Sequence, residues 1–212
     1  MGDYQNEYEL FYNEAINLLD KGGSIANVYE YVDSLPGEDD RYRDHTFMKI
    51  ARLFASKVRV EDALYFCRAI HDKIDHADAL FDVGRELTKH NALDSAKDVL
   101  RQAIEAAGAI EPGAWEMPAI FLRVSVELWN LDEQQEALGL LHRAIELAKQ
   151  PPQPFEAGKT LRGCARLLAS WNRLPEAIEV AQAIESPELR AIALEEIQGR
   201  GKWPVYPGVR IE

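Results

Sequence analysis

Cysteine is nearly absent from this chain: two residues in 212, Cys67 and Cys164. That excludes a disulfide framework, and both positions fall on apolar helix faces, where buried reduced thiols are expected. No apolar run reaches the length that a transmembrane helix needs. The opening MGDYQNEYEL has neither a basic region nor an apolar stretch, so no signal peptide is expected. Gly2 follows Met1, but Asn6 stands where the myristoylation pattern requires Ser or Thr. A cytoplasmic protein without a membrane anchor is the expectation. Cations are also in short supply. Lys and Arg number 24 against 36 Asp and Glu, for a formal net charge of -12. Such a balance repels nucleic-acid phosphates, so no nucleic-acid partner is expected.

Catalytic and cofactor motifs are missing too. The sequence contains no GxGxxG, no P-loop, no HExxH and no nucleophile elbow. The five histidines, His45, His71, His76, His90 and His142, stand at no Cys–His spacing that suits zinc. No cofactor and no metal are therefore expected, and no enzyme; a catalytic site would have to be assembled from separate helices. The acidic run Glu38-Asp39-Asp40 reads as a solvated loop with helix-start charge.

What is present is helical periodicity, clearest from Leu80 to Ile104. Leu80, Val83, Gly84 and Leu87 share one helix face, and Leu93, Ala96, Val99, Leu100, Ala103 and Ile104 share another. Asn91 lies in the turn between, where a left-handed residue is tolerable. The small Gly84 and Ala96 imply a close approach of the two helices, facing each other. Similar pairs run along the whole chain. Residues 4–20 and 25–35 form the first, separated by Gly22-Gly23 and ended by Pro36-Gly37. The next holds Phe47 to Phe54 and Ala63 to Ile70. After the Gly108–Pro118 connection come Phe121 to Leu128 and Ala137 to Ile145. Pro151, Pro152 and Pro154 break the chain before Leu161 to Leu168, Asn172 in the turn, and Ala177 to Ile184. A last helix carries Leu189, Ile192, Ala193 and Ile197.

The second helices repeat one another. Ala63, Ala96, Ala137 and Ala177 are spaced by 33, 41 and 40 residues, and each leads to a similar ending: CRAI, RQAI, HRAI, AQAI. Two helices per unit at that period predict an α-solenoid. The unit 77–110 resembles a tetratricopeptide (TPR) repeat, supplying Leu80, Val83-Gly84, Leu87, Ala96, Leu100 and Ala103 at the pattern's spacings. The units at 118–149, 158–186 and 44–72 follow less closely. The resemblance implies an all-α, right-handed α-solenoid of antiparallel helix pairs over 1–198. A short extended C-terminal tail, 199–212, would follow it.

The same resemblance implies a concave face, lined by first helices, that binds a protein or peptide. Its groove-facing slots are His45, Met48 and Arg52, then Asp78, Phe81, Arg85 and Lys89, then Leu122, Val126 and Trp129, then Lys159, Arg162 and Arg166. Six are Lys or Arg in an acidic chain, which suits capture of carboxylates. A solvated face paired to nearby Glu and Asp is the competing reading. If the basic side chains are exposed, as expected of Arg85 and Arg162, the favoured ligand is an acidic peptide with a central apolar residue near Phe81 and Trp129. Arginines replace the asparagines of the family's carboxylate clamp, so recognition of chaperone tails does not carry over. The tail, GRGKWPVYPGVRIE, reads as a cap over the last helix or as a docking motif. Self-association through the end repeats or tail, as in a homodimer, is the alternative function.

Overall fold

The structure, a computed structural model, describes residues 2–35, 41–150 and 154–199. The loop at 36–40, Pro151 and Pro152, and the tail from 200 on lie outside the described residues. Eleven α-helices and no strand occur among the described residues: α1 Gly2–Asp20, α2 Ile25–Asp33, α3 Arg41–Ser56, α4 Val60–Cys67, α5 Lys73–Lys89, α6 Leu93–Gly108, α7 Glu116–Asn130, α8 Gln134–Ala148, α9 Pro154–Ser170, α10 Leu174–Gln182 and α11 Pro187–Ile197. That is five pairs and a final helix, the number the periodicity predicts.

One turn, built five times, joins the members of each pair. Two positions before each first helix ends stands an apolar residue whose carbonyl accepts an N–H from five residues on. Gly23 donates to Leu18 (2.9 Å), Arg59 to Phe54 (2.9 Å), Ala92 to Leu87 (3.0 Å), Glu133 to Leu128 (2.9 Å) and Arg173 to Leu168 (2.9 Å). The residue before each donor is left-handed: Gly22 (φ 84°), Val58 (56°), Asn91 (61°), Asp132 (67°) and Asn172 (60°). This is the Schellman arrangement, which satisfies carbonyls that a helix end leaves open. Glycine, asparagine and aspartate tolerate the conformation; Val58 is β-branched and does so at a cost.

Packing follows the apolar stripes. The chain forms two units, Met1–Ala106 and Ala107–Glu212. In the first, α3 packs on α1, on its own partner α4 and on α5. Its core is aromatic: Phe54 stacks on Phe66 with centroids 5.6 Å apart, and Phe47 lies 5.9 Å from Phe66. All three are buried. In the second, α9 packs on α7, α8, α10 and α11, around Phe121, Leu128, Leu141, Leu168 and Ile184. Ala63, Ala96, Ala137 and Ala177 are all fully buried. A methyl at Gly84 would stand 2.8 Å from the Leu100 side chain and 3.5 Å from the Ala96 carbonyl oxygen. The close approach expected there is real, with Leu100 as the nearer neighbour. Two boundaries shift from expectation: α7 begins at Glu116, ahead of Pro118, and α9 opens at Pro154 itself.

Candidate functional site

Consecutive first helices in a unit lie alongside one another, and their side chains meet across repeats. In the first unit α1, α3 and α5 form such a row. Lys49 Nζ is 2.6 Å from Glu9 Oε1 and sits over the Tyr12 ring, 5.4 Å from its centroid. Further along α3, Arg52 Nε is 3.8 Å from Glu86 Oε2 of α5. Lys89 Nζ reaches the same oxygen at 2.8 Å, and His90 Nε2 stands 3.5 Å from Glu86 Oε1. Partial burial pushes the Glu86 carboxyl up, but Lys89, Arg52 and His90 outweigh it and hold the group below the ordinary carboxylate range. Arg85 donates to Asp82 (2.8 Å) and lies over the Phe81 ring at 5.4 Å. His45 is held below its usual value by desolvation and by Lys49.

Of the groove residues expected in this unit, Arg52 and Lys89 keep half-exposed side chains, 52% and 50%. Met48 and Arg85 are partly covered. Phe81 is buried at 4% exposure, so the aromatic expected to meet a ligand is part of the core instead.

In the second unit the expected basic wall is largely spent on the fold. Arg162 of α9 grips Glu196 of α11 with two nitrogens, its Nε at 2.9 Å. Arg166 Nε lies 3.8 Å from the same carboxylate. Arg166 and Glu196 are each 7% exposed, and the Arg162 side chain is 30% exposed. The expectation that Arg162 is freely exposed is therefore corrected: α11 packs over this end of α9 and brings Glu196 onto it. Lys159 pairs with Glu156 (2.9 Å) in its own helix. Leu122 and Val126 are half-buried. Trp129 stacks on the buried Trp171, centroids 3.9 Å apart and planes within 9°. All six cations named from the sequence thus face a carboxylate, the pairing the competing reading anticipated.

Several residues that organise these surfaces carry no local signal. The arginine partners of Glu86 and Glu196 become visible only once the neighbouring helix is in place. Asp44, 1% exposed, accepts from the backbone N–H groups of His71 and Asp72 (both 3.0 Å) and so ties the start of α5 to α3. Asp72 in turn caps α5, accepting from the Ile74 and Asp75 amides. Burial pushes the Cys67 thiol up to about 12 and the Cys164 thiol further still, which leaves both unreactive as nucleophiles at neutral pH.

No family model matches the chain, and no curated protein matches it. Among solved structures it is similar to Ton1535 from Thermococcus onnurineus NA1, at 12% identity over 95% of this chain and 93% of that one, with a TM-score of 0.31. A likeness of that degree carries no argument about function.

Proposed function

We propose that this chain is a non-catalytic protein-interaction module built from TPR-like antiparallel helix pairs. It serves as an adaptor, chaperone or regulator that holds a segment of a partner polypeptide on its first-helix face. The observation that carries the reading is the turn repeated at Gly22, Val58, Asn91, Asp132 and Asn172. The turn makes the pairs equivalent, and within a unit neighbouring first helices pack side by side and offer an extended segment equivalent contacts. In the first unit that face offers Met48, Arg52, Arg85 and Lys89. In the second unit, taken by itself, Arg162 and Arg166 of the corresponding helix are engaged with Glu196.

The test is selection of binding peptides from a displayed random library, followed by NMR of the full chain with a selected peptide. Signals of Met48, Arg52, Arg85 and Lys89 should shift. Shifts confined to α2 and α4, on the other helices of the same pairs, would defeat the reading.

A further inference from the structure

The charge around Glu86 does not balance. Arg52 comes from α3, while Lys89 and His90 close the last turn of α5, and all three converge on this single carboxylate. Lys89 and His90 alone would be ordinary, since a helix C-terminus favours cations. Arg52 has no such reason to be there. It belongs to another helix, sits one repeat earlier, and keeps its side chain 52% exposed while only 3.8 Å from Glu86. The adjoining Arg85 is matched by Asp82, so that pair adds no net charge beside Glu86. Arg52 and Lys89 are cationic, and His90 adds charge only when protonated. Glu86 itself is recessed, its side chain 13% exposed, whereas Arg52, Lys89 and His90 are 52%, 50% and 43% exposed. The carboxylate thus lies beneath a rim of Arg52, Lys89 and His90, two of them fixed cations, in a chain whose net charge is -12.

We propose that this rim takes a second carboxylate, an Asp or Glu side chain of a partner polypeptide, held between Arg52 and Lys89 above Glu86. The inference rests on the protein-interaction reading and specifies its ligand as acidic at this end of the face. Arginine presents a planar fork that matches a carboxylate, and Lys89 adds a point charge beside it. Glu86 orients both cations and, as the resident anion, competes with the incoming one.

That competition gives the test an effect of opposite sign. Binding of hexaglutamate to the full chain would be measured by calorimetry at about 50 mM salt, with hexaglutamine as the neutral comparison. Hexaglutamate should bind more tightly than hexaglutamine. Arg52→Gln and Lys89→Gln should each weaken it about two- to five-fold, the range of exposed charge pairs. Glu86→Gln should tighten it, because two cations lose their internal partner. Lys149→Gln, which alters an exposed pair with Glu146 in the other unit, should leave it unchanged. Equal affinity for the two peptides would overturn the acidic site while leaving a peptide-binding face in place. Weaker binding by a folded Glu86→Gln variant would also overturn it, and that outcome does not depend on whether the Arg52 variant folds.

Discussion

Val58 holds a left-handed conformation that its four equivalents meet with glycine, asparagine or aspartate, and its side chain is 46% exposed. It contributes little packing and carries backbone strain. Replacing it with asparagine, the residue at positions 91 and 172, should stabilise the chain by about 1 kcal/mol. A urea midpoint that stays put or falls would contradict this. Two glycines make a complementary pair. Gly84→Ala would push a methyl to 2.8 Å from buried Leu100, and should cost about 1–3 kcal/mol. Gly139 lies within α8 with nothing near its missing Cβ, so Gly139→Ala should gain about 0.5–1 kcal/mol. Thermal unfolding of the two variants should move in opposite directions.

At the scale of the element, α11 is held differently from the helices before it. It has no second helix after it among the described residues, and its exposed side carries Ala191 and Ile192. Its inward side buries Ala193 and Ile197 and seats Glu196 on Arg162 and Arg166. The hydrogen bond from Arg162 holds the Glu196 carboxyl below its ordinary value against the upward push of burial. A depressed carboxyl stabilises the fold above its unfolded pKa, near 4.3. The contribution disappears as pH falls through that value toward the folded one. Amide exchange in α11 should therefore accelerate below about pH 4.5 before exchange in α10 does. Glu196→Ala should abolish that difference and cost about 3 kcal/mol at neutral pH, since it removes the carboxylate that Arg162 and the buried Arg166 share. Unchanged α11 protection in the variant would show that Ala193 and Ile197 hold the helix unaided. Asp44 and Asp72 do comparable work at the start of α5, but through backbone amides.

Over the whole molecule, each unit buries one thiol, Cys67 in the first and Cys164 in the second. Burial raises both above the thiol's unfolded value. A raised thiol favours the folded state below the unfolded pKa, about 8.5, and that advantage is lost as pH climbs toward the folded value, about 12 for Cys67. Stability should fall between these limits, and Cys67→Ala with Cys164→Ala should flatten the fall even if they lower stability at neutral pH. A thiol reagent should label the native protein only as fast as it unfolds.

The helices were legible in the sequence because their cause is local. Stripes at helical spacing mark each amphipathic face, and Gly22, Asn91 and Asn172 mark turns where few other residues are tolerated. The small residues at 63, 96, 137 and 177 recorded the pairing, since only a small side chain fits where two backbones approach. Val58 and Asp132 would not have been singled out by residue type; their turns follow from the repeat. The binding face was legible only as a set of slots. Slot position located Arg52, Arg85 and Lys89 on the first helices, yet it could not show that Phe81 is covered or that Trp129 stacks on Trp171. For Arg52, Arg162 and Arg166 the partner carboxylate lies one repeat away in the chain. Arg52 meets Glu86, and Arg162 and Arg166 meet Glu196, through contacts that exist only when neighbouring first helices lie side by side. Local periodicity and turn chemistry therefore determined the helices and their repeat from the sequence alone. Which cations stay at the surface was decided only by tertiary packing, because solvent exposure and pairing depend on the helix that arrives alongside.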